Sequence, residues 1–277
     1  MGFVEMLAAM AANSEPNRQE GDYEKDGLLH CGKCHTPKQT LITLQGQTLK
    51  PYCMCQCETE QYQHDEKIRK LTAIKQQIDR NRDVAFPDKD LVRCTFAIDD
   101  KSNPKISSVA EKYVANFKTF RADGKGLLFY GPTGTGKTFI AACIANAVLE
   151  KGYKVLMTSF PRLINTLSGM YEGKQEFIDD LNRYALLIID DLATERDTEY
   201  TAEIVQNVID GRYRAGKPLI ITTNVSYQDF MNPPDIRKER LYSRLKEMCL
   251  PIEVKGKDRR EQKLAENYAD MSKLLGL

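Results

Sequence analysis

The stretch LLFYGPTGTGKTFIAACIANAVL, residues 127–149, decides the fold. An apolar run of strand character enters GPTGTGKT, residues 131–138, and a helix-forming run leaves it. The octapeptide satisfies G-x-x-x-x-G-K-[ST] at every specified position. Its glycines let backbone N–H groups turn inward around phosphates, and the following helix adds the positive end of its dipole. The expected nucleotide contacts are Gly131, Pro132, Thr133, Gly134, Thr135, Gly136, Lys137 and Thr138, with Phe139 next in the helix. Lys137 supplies charge for the outer phosphates and Thr138 a hydroxyl for Mg²⁺.

A second acidic motif follows in LLIIDD, residues 186–191. A buried strand there delivers Asp190 at its C-terminal edge, where it can hold Mg²⁺ through water, and Asp191 is placed to polarise an attacking water. PLIITTN puts Asn224 at the end of the next strand, within reach of a γ-phosphate. Further on, RKERLYSRL carries Arg240 and Arg244 four apart on one helical face, and GKDRR carries Arg259 and Arg260. Late arginines suit a finger offered to a neighbour's γ-phosphate and a cation that senses nucleotide in its own chain.

From Leu91 onward strand and helix patterns alternate. GLLFY, KVLMTS, ALLIIDD, PLIITTN and PIEV read as five apolar strands separated by helices. That pattern implies an α/β domain with a parallel sheet covered on both faces. AFPDKD marks a break, so residues 1–84 and 85–277 are expected to form two domains. The chain has 277 residues, 42% of them hydrophobic, and a formal charge of +1. Net charge therefore predicts no strong pull toward nucleic acid or membrane. No apolar run approaches the ~20 residues that span a bilayer. The opening MGFVEMLAAMAA reads as a short helix with neither signal-peptide nor myristoylation character, since Met6 stands where Ser or Thr is required. The expectation is a cytosolic protein.

Five of the eight cysteines lie between Cys31 and Cys57. HCGKCHTPKQT and LKPYCMCQCETE supply one C-x-x-C and one C-x-C-x-C, so five thiols compete for the four positions of tetrahedral zinc. No general acid accompanies them, and such a zinc would be structural. A charged helix follows over residues 58–82. Its stripe of Ile68, Leu71, Ile74 (or Lys75) and Ile78 is expected to pack on its own protein.

The combination GLLFYGPTGTGKT, VLMTSFPRLINTL, LLIIDDLATERDTEY, IDGRYRAGKPLIITTN and ERLYSRLKEMCLPIEVKGKDRR resembles the AAA+ helicase-loader ATPases of the DnaC/DnaI/IstB-like family. The likeness runs from about Cys31 to about Arg260. It implies a AAA+ sheet of order 5-1-4-3-2, ATP and Mg²⁺ at residues 131–138, and acidic roles for Asp190 and Asp191. It also implies sensor 1 at Asn224, the arginine finger at Arg240 with Arg244 as second candidate, and sensor 2 at Arg260. Its terminal C-x-C pattern points to Cys31, Cys34, Cys55 and Cys57 as Zn²⁺ ligands, leaving Cys53 spare and His30 or His35 as substitutes.

Many AAA+ proteins carry Glu where this chain has Asp191, which favours a slow, switch-like ATPase. The partners implied are the hexameric replicative DNA helicase, further copies of the chain assembled on it, and single-stranded DNA, with no membrane. DNA contact is expected near Ser159, Phe160 and Arg162, although Phe160 also reads as a core residue at a strand end. Two other functions fit the same residues: an IstB-like ATPase accessory to transposition, and a nucleotide-dependent helicase inhibitor with little hydrolysis.

Overall fold

The computed structural model describes residues 18–44, 46–192, 199–233, 235–256, 258–259, 268 and 271–275. The expected helix near residue 1 and the expected sensor Arg260 lie outside the described residues. The chain divides into two compact units, Met1–Lys75 and Gln76–Leu277.

In the first unit, β1 (Tyr23–Lys25) and β2 (Leu28–His30) form an antiparallel hairpin. Its two turn residues, Asp26 and Gly27, both take positive φ, as a tight two-residue hairpin requires. A second antiparallel pair follows, β3 (Ile42–Leu44) with β4 (Gln47–Leu49). Helix α1 (Gln56–Ala85) begins in this unit and ends in the next. Among the described residues of this unit up to Lys75, the buried ones are Leu29, Cys31, Cys55 and the whole of Lys38. Lys38 is ion-paired to Asp22 at 2.8 Å and to Glu58 at 3.2 Å. Most of the stripe on α1 is not packed on its own protein among the described residues: Ile68, Leu71 and Ile74 remain 48%, 57% and 54% exposed, while Ile78 is half-buried.

The second unit is built on five parallel strands: β5 (Gly126–Tyr130), β6 (Val155–Ser159), β7 (Leu186–Leu192), β8 (Leu219–Thr223) and β9 (Cys249–Glu253). Their spatial order is β6-β7-β8-β5-β9. In whole-chain numbering this differs from the expected 5-1-4-3-2, because four strands of the first unit precede the sheet. Counted within the sheet and read from the β9 edge, the strands run fifth, first, fourth, third, second.

Alternation along each strand sends side chains to two separate cores. Leu127, Phe129, Leu186, Ile188 and Ile220 face one core with α2 (Pro104–Ala115), α3 (Phe117–Ala122) and α4 (Lys137–Glu150). Leu128, Leu187, Ile189, Leu219 and Ile221 face the other. That second core is closed by α5 (Phe160–Ser168), α6 (Lys174–Leu181), α7 (Glu199–Arg214), α8 (Tyr227–Met231) and α9 (Ile236–Met248). No helix among the described residues is long and apolar enough to cross a membrane.

One polar side chain ties the second core together. Arg212 is fully buried and donates to the carbonyls of Leu181, Tyr184, Ala185 and Pro218, at 2.7–3.4 Å. These oxygens sit at the end of α6 and at the entries to β7 and β8, so one guanidinium fixes where three elements begin or end. Burial lowers its pKa to about 9, which still leaves it charged at neutral pH. Arg212→Leu strands these acceptors without donors and is expected to cost about 3 kcal/mol or more, read from the urea midpoint.

Candidate nucleotide site and metal centre

β5 ends at Tyr130, and the chain turns at Gly131 with φ +142°. A Cβ there would stand 2.4 Å from the Val254 carbonyl oxygen, so the turn against the strand leaving β9 excludes any side chain. The loop ends at Gly136, in the left-handed region, and no side chain caps the helix α4 that begins at Lys137. The first-turn N–H groups of α4 therefore point at an uncapped helix end, as an anion requires.

Lys137 is 6% exposed. Its ammonium donates to the carbonyls of Gly131 (2.8 Å) and Pro132 (2.7 Å) and to Asn224 Oδ1 (2.8 Å). The structure thus brings together the lysine after β5 and the asparagine after β8. Thr138 Oγ1 donates to the Asp190 carboxylate, 3.0 Å from each oxygen, and the Thr222 hydroxyl donates to the same group. Burial pushes the Asp190 carboxyl above its ordinary pKa, opposed by these two donors.

Asp191 occupies the left-handed region, φ +59°, where the β7–β8 register shifts between Ile189 and Leu192. Its N–H donates to Thr222 Oγ1 at 3.0 Å. Aspartate tolerates this conformation better than branched residues do, and a bulge at this point re-aims the carboxylate relative to its strand.

Arg240 and Arg244 make their contacts along α7 and α9. Asp210 lies 3.5 Å from Arg240 and 3.6 Å from Arg244, and the Arg244 guanidinium stacks 4.3 Å above the Tyr213 ring. Arg259, to which the sequence analysis assigned no definite role, is at the phosphate loop. Its N–H donates to the Gly134 carbonyl (3.1 Å), and its guanidinium reaches Asp100 (3.1 Å) and Ser102 and lies 6.0 Å from the Phe139 ring. Thr222 was missed as well, because a threonine inside a buried strand carries no signal of its own. Phe160 is 1% exposed and belongs to the second core, so it does not stack a base; Ser159 caps α5 by accepting the Arg162 N–H.

In the first unit, Cys31, Cys34, Cys55 and Cys57 bring their sulfurs within 4.8 Å of one another. Tetrahedral zinc–thiolate bonds of about 2.3 Å place sulfurs about 3.8 Å apart, so this donor set could hold zinc. Local structure favours thiolates. Lys33 N–H donates to Cys31 Sγ at 3.4 Å, and the Thr36 hydroxyl lies 3.1 Å from Cys34 Sγ. Cys55 precedes the first residue of α1, and Glu58 reaches back to accept its N–H at 3.2 Å, the backbone half of a capping box. Cys55 and Cys57 thereby sit at the positive end of a 30-residue helix.

Without a cation three of the thiols are pulled in opposite directions. The Thr36 hydroxyl lowers Cys34 to about 5, while burial pushes Cys55 up to about 12, and the hydrogen bond with Cys34 raises Cys57. A divalent ion removes that conflict. The fifth clustered cysteine, Cys53, turns its Sγ to the Pro37 carbonyl, 3.6 Å away.

A P-loop at the C-terminal edge of a five-stranded parallel sheet, with its acidic partner two strands away, defines a P-loop nucleotide-binding protein. Residues 88–267 match the model of the IstB-like ATP-binding proteins, and the chain belongs to that family. It is 26% identical over 186 residues to the replicative helicase loader DnaI of Bacillus subtilis, covering 62% of this chain and 60% of the relative. It is 25% identical over 140 residues to the helicase loader DnaC of Escherichia coli, covering 48% and 55%. A candidate ATP-binding protein in an insertion sequence of Mycobacterium tuberculosis is 29% identical over 171 residues, covering 60% and 67%. The match therefore spans little more than half the length of the two loaders. A crystal structure of the DnaC helicase loader superposes with TM-score 0.53 and 25% identity, over 60% of this chain and 99% of that one.

Gly131→Ala is expected to abolish binding of a fluorescent ATP analogue, because the added methyl collides with the Val254 carbonyl. Circular dichroism should show the fold retained.

Proposed function

We propose that this chain is an ATP-dependent loader of the hexameric replicative DNA helicase onto single-stranded DNA. ATP binding and hydrolysis switch its hold on helicase and DNA, and copies of the chain assemble on the helicase in the cytoplasm. The observation that carries the reading is a four-cysteine unit placed ahead of an ATP-binding unit whose matched relatives include two helicase loaders. In this reading residues 1–84 grip the helicase, residues 85–277 form the ATPase, and Zn²⁺ on Cys31, Cys34, Cys55 and Cys57 closes the first.

The loop at residues 131–136 and the first turn of α4 hold the phosphates. Lys137 exchanges its bonds to two loop carbonyls and Asn224 for bonds to the outer phosphates. Thr138 and Asp190 are the residues that would hold Mg²⁺, which neutralises phosphate charge when bound. Asp191 polarises the attacking water as the bond between the γ-phosphorus and the bridging oxygen breaks, leaving ADP and phosphate, and Asn224 orients the water or the γ-phosphate. Arg240, or Arg244 beside it, is offered to a neighbour's γ-phosphate, and Arg260 senses nucleotide in its own chain. The short reach of Asp191 makes the enzyme a slow switch.

Two other readings have support. The insertion-sequence relative favours an accessory ATPase of transposition acting on double-stranded DNA. Asp191 favours a helicase-binding inhibitor that scarcely hydrolyses ATP.

Native mass spectrometry of the full chain with the hexameric replicative helicase of the same organism tests the proposal. A complex of several copies per hexamer, changed between ATP and ADP, is the expected result; forked DNA then separates loading from inhibition. No complex in either nucleotide would sink the loader and leave the transposition reading. Lys137→Ala should lose nucleotide binding and that nucleotide dependence together. Metal analysis should find one zinc per chain in the wild type and in Cys53→Ser, and a fraction of that in Cys57→Ser.

A further inference from the structure

The two acidic residues of the site do not hold their positions unaided. At residues 190–192 strand β7 leaves regular register with β8, and Asp191 adopts a left-handed backbone. Such a bulge leaves ladder groups unpaired and lets a strand end wander unless something secures it. Two consecutive threonines of β8 do so. The Thr222 hydroxyl donates its proton to Asp190 Oδ1 and accepts the N–H of Asp191 at 3.0 Å. The Thr223 hydroxyl donates to the Leu192 carbonyl at 2.9 Å and accepts the N–H of Val225 at 3.1 Å. Both side chains are fully buried.

We propose that Thr222 is a positioning residue for ATP hydrolysis: its one hydroxyl locks the Asp190 carboxylate and the Asp191 backbone into a fixed mutual geometry. This rests on the reading of Asp191 as the group that polarises water. The bridge uses both capacities of a hydroxyl at once, a donor toward the carboxylate and an acceptor for the amide. Valine has the same shape and neither capacity. Serine has both.

Without the bridge, Asp190 loses one of two donors that favour its charged form, and Asp191 loses the partner that holds its amide in the left-handed turn. The loop at residues 131–136 and Lys137 are untouched. The consequence falls on turnover and on the metal requirement, while nucleotide affinity is spared. A misplacement of about 1 Å at a reacting group costs up to about 100-fold in rate.

Single-turnover ATP hydrolysis by the full chain tests this in Thr222→Val, Thr222→Ala, Thr222→Ser and Asp191→Asn, alongside binding of a non-hydrolysable ATP analogue and a Mg²⁺ titration. Thr222→Ala serves where the valine variant does not fold. The expected result is a fall in rate of about 10- to 100-fold in Thr222→Val and Thr222→Ala. Half-maximal Mg²⁺ should rise, analogue affinity should stay within about twofold, and Thr222→Ser should recover both rate and Mg²⁺ response. If Asp191→Asn loses turnover while the folded valine or alanine variant keeps it, the positioning role is overturned. A serine variant as slow as valine overturns it too, because the hydroxyl is then not what matters. Should Asp191→Asn turn over at the wild-type rate, the reading of Asp191 fails first and takes this inference with it.

Discussion

Asp190 is a carboxylate held where burial works against its charge, and much of the second unit is arranged so that it can stay there. Its donors come from a helix, through Thr138, and from a neighbouring strand, through Thr222. Both are in reach because the strand order sets β8 between β7 and β5. The same order carries Lys137, just beyond β5, to Asn224, just beyond β8. In a parallel sheet all C-terminal strand ends emerge on one edge, so charged groups that no single segment could stabilise converge there and share partners. The two apolar cores below that edge supply stability, and the loops above it are left free to carry polar chemistry.

The first unit solves the opposite problem. Few of its described residues are buried, and among them are Lys38 between two carboxylates and two of a knot of cysteines. Glu58 serves both features, pairing with Lys38 and capping the helix at Cys55. A short unit organised by charge and thiolates gains its stability from a cation more readily than from area.

Local patterns carried a large part of this architecture. The alternation of four- and five-residue apolar runs with helical segments marked all five strands of the large sheet, and the glycine spacing of residues 131–138 marked the loop between β5 and α4. The lengths of elements were less legible. Helix α5 stops at Ser168, because Gly169 ends it and Gly173 takes positive φ before α6 begins, although the helical pattern of PRLINTLSGMYEG runs on to Gly173. Thr222 and Arg212 were invisible as individuals, since a threonine in a strand and an arginine in a helix each have an ordinary local explanation, and Arg259 was marked only as one of a late basic pair. Phe160 illustrates the reverse: its type suggested stacking on a base, and its position at the end of an edge strand buried it.

What the sequence by itself determined is the set of groups whose chemistry depends on neighbours along the chain: the glycine loop and its lysine, the paired aspartates at a strand end, and cysteines spaced to share an ion. Close spacing fixes the positions of groups within each motif to within a few ångströms. Which cysteine turns away, which hydroxyl bridges the two aspartates, which arginine meets the phosphate loop and which apolar residues stay in water were decided only by tertiary structure. Those outcomes depend on groups tens to more than a hundred residues apart, such as Arg259 and Asp100. They meet because strand order and packing bring them together, and no local pattern encodes that meeting.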